Sequence, residues 1–104
     1  MNQSMFEIAR KMMVDCQIRP SKVTDKNVLD AFLTVPREAF VSKHQQAIAY
    51  IDEDLPLSNG RYLMEAMVLA RLVQALEICA SDNVLVVGAA SGYGSAIIAH
   101  LAGS

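Results

Sequence analysis

Apolar side chains recur at helical spacing near the start of the chain. The first stripe is formed by Phe6, Ala9, Met13 and Cys16. Positions separated by three or four residues lie on one side of an α-helix, so this stripe predicts an amphipathic first helix. Pro20 is expected to end it, because the residue before a proline is pushed out of the helical region.

Two shorter helices are predicted next. The first of them is expected to begin at a cap supplied by Thr24 or Asp25 and to run through Thr34. Its inward-facing positions are Val28, Leu29 and Phe32. Pro36 suits the first position of a third, short helix over residues 37–41.

Loop residues then surround a short extended piece. The polar triplets 52–54 and 58–60 flank residues 55–57, and we expect a small hairpin near residues 55–63. Residues 65–78 form the longest predicted helix, which is apolar on most sides. Such a helix is expected to be buried between layers of structure rather than at a surface.

The last part of the chain has the pattern of a nucleotide-binding turn. Residues 84–87 are continuously apolar, as expected of a strand covered on both faces in a parallel sheet. Glycines follow at Gly88, Gly92 and Gly94, and residues 93–102 predict a helix whose positive end faces the turn. The alternative is a strand–helix turn in which the glycines serve only tight packing.

Two cofactor classes fit the spacing of these glycines. The turn resembles the coenzyme turn of short-chain dehydrogenases, and it also resembles motif I of S-adenosylmethionine-dependent methyltransferases. In the methyltransferase pattern Ala90 replaces the central glycine, and Val86 or Val87 stands where an acid is expected. Taken alone, the turn favours the dehydrogenase.

The residues before the turn favour the methyltransferase. Segments that follow one another in a recognisable order are residues 13–20, 28–32, 35–41, 49–52, 55–57 and 60–70. Together they resemble the N-terminal part of the protein-L-isoaspartate O-methyltransferase family, especially its bacterial branch. The resemblance implies an α/β fold: a mainly helical region over residues 1–80, then the first strand–turn–helix unit of a Rossmann-like cofactor domain over residues 81–104. The sheet of that domain would be incomplete in this chain.

The resemblance also implies chemistry. It implies S-adenosyl-L-methionine as methyl donor and an isoaspartyl carboxylate in a damaged peptide or protein as acceptor, which is a protein-repair reaction. The donor would contact Gly88, Ala90, Gly92 and Tyr93. No metal site is predicted, because Cys16 and Cys79 lack metal-ligand spacing; both are expected to be small buried side chains rather than disulfide partners.

The acceptor side departs from the family's pattern. The family's Gly-Gln-Thr-Ile-Ser-x-Pro loop is matched by residues 60–66, where Tyr62 and Met64 occupy the two hydroxyl positions. Tyr62 can still donate a hydrogen bond, whereas Met64 cannot. Arg61 is a candidate partner for the acceptor carboxylate, the alternative being an arginine that faces solvent. Asp52 is a candidate for shaping the acceptor pocket, the alternative being a solvated acidic loop.

Composition excludes some partners. The chain has 104 residues and a formal charge of −2, with Lys and Arg scattered along it, so it shows no electrostatic footprint for nucleic acid. No apolar run approaches the roughly 20 residues that span a bilayer, and charges interrupt the first fifteen residues. The sequence therefore predicts a cytoplasmic protein with no nucleic-acid or membrane partner.

One feature limits the expected activity. An acid that fixes the ribose is expected roughly 20 residues beyond the glycine turn, which lies past Ser104. We therefore expect a truncated member of the family that does not turn over substrate by itself. Two other interpretations stay open: a non-catalytic interaction module in which a homo-oligomer covers the strand, and a fragment of a short-chain NAD(P)-dependent dehydrogenase.

Overall fold

Helices account for most of the described residues. The computed structural model describes residues 3–57, 62–77 and 92–102. Its α-helices are α1 (Gln3–Met13), α2 (Lys26–Thr34), α3 (Ala66–Leu76) and α4 (Tyr93–Leu101). A π-helical turn covers Val14–Ile18, and 3-10 turns cover Arg19–Ser21, Arg37–Phe40 and Lys43–Ile48. The strands of the described part are β1 (Leu55–Pro56) and β2 (Tyr62–Leu63).

The first helix changes its winding before it ends. After α1 the chain continues as a π turn, in which the backbone N–H of Arg19 bonds to the carbonyl of Val14. Val14 and Ile18 thereby become fully buried, whereas Cys16 is exposed. The prediction that Cys16 is a buried side chain is wrong, because the wider turn directs its neighbours toward the core instead. Cys79 lies outside the described residues.

The second helix confirms its predicted cap and inward face. The Asp25 side chain accepts hydrogen bonds from the backbone N–H groups of Asn27 at 2.8 Å and Val28 at 3.3 Å. These bonds satisfy donors that the first helical turn leaves free, so Asp25 rather than Thr24 is the N-cap. The buried residues of α2 are Val28, Leu29, Ala31 and Phe32.

The structure confirms the predicted hairpin but not the predicted burial of the helix that follows it. β1 and β2 pair antiparallel with Leu55 opposite Leu63, which confirms a small extended piece at this point. The expected burial of α3 between layers is wrong for the described part of the chain. Only one face, formed by Ala66, Ala70 and Val73, is buried, while Leu72 and Leu76 are 52% and 65% exposed. The described elements pack against a single side of α3.

The last helix closes the described core. α4 confirms the helix predicted over residues 93–102, and its buried residues Tyr93, Ile97 and Leu101 join the same apolar cluster as α2 and α3. The preceding strand predicted at residues 84–87 lies outside the described residues. Among the helices of residues 3–57, 62–77 and 92–102, each is too short or too polar to cross a bilayer. The described part is thus a helical cluster with a small hairpin beside it.

Candidate functional site

Two of the predicted acceptor residues, Tyr62 and Asp52, are exposed at the surface. Tyr62 is 64% exposed on β2, and Asp52 is exposed in the loop before β1. Arg61 lies outside the described residues. The backbone N–H of Glu65 donates to the carboxylate of Asp54 at 2.8 Å, so the acidic loop over residues 52–54 is tied to the start of α3.

The acidic loop alters the titration of its neighbour. A hydrogen bond with Asp52, followed by burial and by repulsion from the other acids of the loop, raises the pKa of Glu65 above its ordinary value. The folded protein therefore holds this proton more tightly than the unfolded chain does. Protonated Glu65 therefore stabilises the folded protein at low pH. This contribution to the free energy of unfolding is lost as the pH rises through the pKa of Glu65 in the folded protein.

Replacing Glu65 with glutamine tests whether the ionised Glu65 carboxylate destabilises the folded protein. Because Glu65→Gln cannot ionise, we expect it to melt at a higher temperature than the wild type at neutral pH. The difference should shrink as the pH falls to about 4, near the ordinary pKa of a carboxyl group. Thermal melts across this pH range measure the effect, with Glu7→Gln on α1 as an exposed control. A difference that does not change with pH would contradict the proposed repulsion.

Two of the four predicted donor residues, Gly92 and Tyr93, lie at the start of α4. Gly92 precedes the helix with a φ of 85°, in the left-handed region that favours glycine. Gly88 and Ala90 lie outside the described residues. The Tyr93 side chain is fully buried, and its ring makes edge-on contacts with Phe32 and Phe40 at centroid distances of 6.1 and 5.6 Å. Tyr93 is therefore a core residue in this structure, and its contact with a donor stays a prediction.

A buried polar network lies between α1 and the 3-10 turns. Arg10 pairs with Glu38 at 3.1 Å and donates through Nε to the Tyr50 hydroxyl at 3.0 Å. The Tyr50 hydroxyl in turn donates to Glu38. Arg10 and Glu38 are 8% and 6% exposed, so the ion pair is shielded from solvent. The network fixes α1 against the segment that holds Glu38 and Tyr50.

Protonation in this network follows from burial. Burial raises the pKa of Tyr50 to about 12, with hydrogen bonds from Arg10 and to Glu38 acting in opposite directions. Tyr50 therefore keeps its proton at neutral pH and can donate it. Burial disfavours the charged form of Arg10, but hydrogen bonds and attraction from Tyr50 and Glu38 outweigh this effect and raise its pKa.

Arg37 connects this network to both predicted functional segments. Its Nε donates to the carbonyl of Ala49 at 2.6 Å, and its Nη2 donates to the carbonyl of Met64 at 3.0 Å. Its Cζ lies 4.9 Å from the centroid of the Tyr93 ring. Its backbone N–H donates to the Tyr50 hydroxyl at 3.1 Å. One fully buried side chain thus contacts the segment after β2 and the first residue of α4.

None of these four side chains, Arg10, Arg37, Glu38 and Tyr50, carries an individual functional signal in the sequence. Arg37 and Glu38 fall within residues 35–41, which carried the resemblance, but their burial was not foreseen. Arg10 lies four residues after Phe6 and three before Met13, so helical spacing places it on the buried face of α1. That spacing was the available signal for Arg10.

A methyltransferase family model matches almost the whole chain. The family model for protein-L-isoaspartate(D-aspartate) O-methyltransferase matches residues 8–104, a stretch that contains the whole polar network. The chain belongs to this methyltransferase family. The match runs through the upstream segments as well as the glycine turn, so it favours the methyltransferase over the dehydrogenase interpretation.

Curated relatives in this family cover nearly the whole chain. The protein-L-isoaspartate O-methyltransferase 2 of Anaeromyxobacter sp. (strain Fw109-5) is 41% identical over 94% of this chain and 40% of its own length. The Jannaschia sp. (strain CCS1) and Geobacter metallireducens (strain ATCC 53774 / DSM 7210 / GS-15) relatives are 43% and 39% identical, each over 93% of this chain and 44% and 45% of their own lengths. The chain therefore spans less than half the length of these methyltransferases.

Proposed function

We propose that this chain supplies the acceptor segment and the start of the donor site of an S-adenosylmethionine-dependent methyltransferase that acts on isoaspartyl carboxylates. The observation that carries the proposal is the meeting of two distant segments at Arg37. The segment after β2, matched to the family's acceptor loop, and the start of α4, matched to its donor turn, both contact this one side chain. Family membership supports the assignment of the two segments.

The proposed reaction requires alignment of the acceptor carboxylate with the donor methyl group rather than acid–base catalysis. A sulfonium donor is already activated, and its leaving group is neutral after methyl transfer. The protein must bring the acceptor carboxylate in line with the methyl group and keep water away. In this proposal the exposed Tyr62 hydroxyl donates a hydrogen bond to the acceptor, Arg61 pairs with its carboxylate, and Asp52 shapes the pocket edge.

The donor side of the proposal rests on the glycine turn. We propose that Gly88, Ala90, Gly92 and Tyr93 line the S-adenosylmethionine site, and that residues 81–104 begin a Rossmann-like unit which follows the helical region of residues 1–80. The left-handed conformation of Gly92 supports a tight turn at the start of α4. The nine-residue helix that follows directs its positive end toward this turn.

A chimera tests the proposed function. Residues 8–104 would replace the matching part of the Anaeromyxobacter relative, and methyl transfer from labelled S-adenosylmethionine would be measured on an isoaspartyl peptide. We expect methylation of that peptide and none of the aspartyl peptide of the same sequence. For the 104-residue polypeptide alone, we expect calorimetry to find no binding of S-adenosylhomocysteine tighter than about 1 mM.

The relative itself and the peptide pair serve as controls for the chimera. A chimera that binds the donor normally but methylates neither peptide would remove the isoaspartyl assignment, and the substitutions at Tyr62 and Met64 would then indicate another acceptor. Micromolar binding by the 104-residue polypeptide would overturn the expectation that a complete donor site needs residues beyond the turn.

A further inference from the structure

Arg37 connects three segments that are far apart in the chain. Its side chain reaches the carbonyl of Ala49, which is 12 residues away, and the carbonyl of Met64, which is 27 residues away. The Cζ of its guanidinium lies over the Tyr93 ring at the start of α4, 4.9 Å from the ring centroid. The three contacts use one rigid group: Nε and Nη2 donate to the two carbonyls, and the cation centred on Cζ lies over the ring.

The geometry of a guanidinium makes these contacts interdependent. Its atoms are coplanar, so the directions of its N–H donors are fixed relative to each other and to its central carbon, Cζ. When Nε and Nη2 hold the two carbonyls, the position of Cζ over the Tyr93 ring is fixed as well. A displacement of the Met64 segment is therefore transmitted to the start of α4. Lysine cannot do this, because its ammonium has no plane and no forked set of donors.

The backbone of Arg37 is held in place by the buried polar network. Its backbone N–H donates to the Tyr50 hydroxyl, which also accepts from Arg10 and donates to Glu38. The Tyr50 hydroxyl thus donates one hydrogen bond and accepts two, which is its full hydrogen-bonding capacity. The buried ion pair of Arg10 and Glu38 holds this hydroxyl in place. Arg37 is consequently anchored at its backbone as well as at its side chain.

Stability alone does not account for an arginine at this position. Arg37 is fully buried, and the acceptors of its Nε and Nη2 are carbonyl oxygens rather than a carboxylate. Burial lowers the pKa of Arg37, which attraction to Tyr93 opposes. A buried charge without a carboxylate is costly, and apolar side chains of similar volume often serve packing as well or better.

We propose that Arg37 is a positioning residue that sets the acceptor segment of residues 62–65 against the start of α4. This inference rests on the proposed function and adds to it the side chain that relates the two halves of the site. Misplacement of reacting groups by about 1 Å can reduce a rate about 100-fold, so a rigid connection between acceptor and donor segments has a direct chemical purpose. The role is indirect: Arg37 acts through the Met64 carbonyl and the Tyr93 ring.

Three variants of the full 104-residue chain test this inference. Arg37→Met removes the charge and the fork but keeps an apolar side chain, and Arg37→Lys keeps the charge without the fork. Arg19→Met is the matched control, because the Arg19 side chain is exposed and pairs with Asp15 at 3.0 Å. NMR titrations would measure the dissociation constants of an isoaspartyl peptide and of the aspartyl peptide of the same sequence.

The inference predicts a loss of selectivity at position 37 alone. We expect the wild type and Arg19→Met to prefer the isoaspartyl peptide by about tenfold, the effect of one hydrogen bond to a charged group. Both Arg37 variants should lose this preference, and their amide signals should shift on both sides of the connection, at Glu65 and at Gly94. Arg19→Met should shift neither signal.

Separate outcomes overturn the inference and the proposed function. If the wild type itself does not distinguish the peptides, the isoaspartyl function fails and the inference falls with it. If the wild type is selective and Arg37→Met is equally selective, only the positioning role fails. Full selectivity in Arg37→Lys would also overturn it, because charge without the planar fork would then suffice. Since Arg37→Lys keeps the buried cation, it serves as the test if Arg37→Met does not fold.

Discussion

Replacing Glu38 with alanine is expected to lower the free energy of unfolding by about 3–5 kcal/mol, which is a large part of the stability of a small domain. The change removes the carboxylate that pairs with Arg10 and accepts from Tyr50. Arg10 would then be a buried cation without a counter-charge, which costs far more than the loss of a surface pair. Denaturant unfolding, followed by circular dichroism, measures the difference.

The chain contains a matched control for this prediction. Asp15 and Arg19 form an ion pair at 3.0 Å whose side chains are both about half exposed. Asp15→Ala should change the free energy of unfolding by less than about 0.5 kcal/mol, because solvent screens such a pair. If Glu38→Ala and Asp15→Ala have equal effects, the network around Arg10 is not a significant source of stability. The double variant Arg10→Met/Glu38→Leu should recover much of the loss, because neither charge remains buried.

Replacing Tyr93 with alanine is expected to cost about 4 kcal/mol. Its ring is fully buried between Phe32, Phe40 and the guanidinium of Arg37, so truncation would leave a cavity at the junction of α2 and α4. The same substitution at the exposed Tyr62 should cost less than about 0.5 kcal/mol. Thermal and denaturant unfolding of both variants measures the contrast.

Tyr93→Phe distinguishes the contribution of the ring to the free energy of unfolding from that of the hydroxyl. It keeps the aromatic contacts with Phe32 and Phe40, so we expect it to cost only about 1 kcal/mol, the net contribution of a typical hydrogen-bonding group. A loss in Tyr93→Phe as large as that in Tyr93→Ala would show that the hydroxyl, rather than the packed ring, stabilises the start of α4. Equal effects of alanine at positions 62 and 93 would contradict the burial of Tyr93.

Local rules predicted the helices and the hairpin well. The Asp25 cap, the inward face of α2 and the helix after Gly92 follow from side chains within a few residues of one another, and the structure confirms all three. Local spacing failed at Cys16, where a π turn alters the face of the helix. It failed again on α3, because the number of apolar residues does not show how many neighbours are present to cover them.

The candidate site was only partly visible in the sequence. The resemblance pointed to residues 60–66 and 88–93, both of which lie within the family match, and their assignment to the site stays a prediction. It did not reveal that Tyr93 is a core residue or that Arg37 lies between the two segments. The residues that Arg37 contacts lie 12 to 56 positions away from it in the sequence, from Ala49 to Tyr93. No local pattern encodes contacts over such distances.

By itself, the sequence determined the family, the helices α1 to α4 and a cap at the start of α2. These properties depend on hydrogen bonds and apolar spacing within a few turns of backbone, so they can be worked out along the chain. Only the tertiary structure decided which polar side chains became buried, since burial depends on what packs against them. Arg10, Arg37, Glu38 and Tyr50 look like ordinary polar residues in the sequence, and packing of distant segments turns them into one buried network.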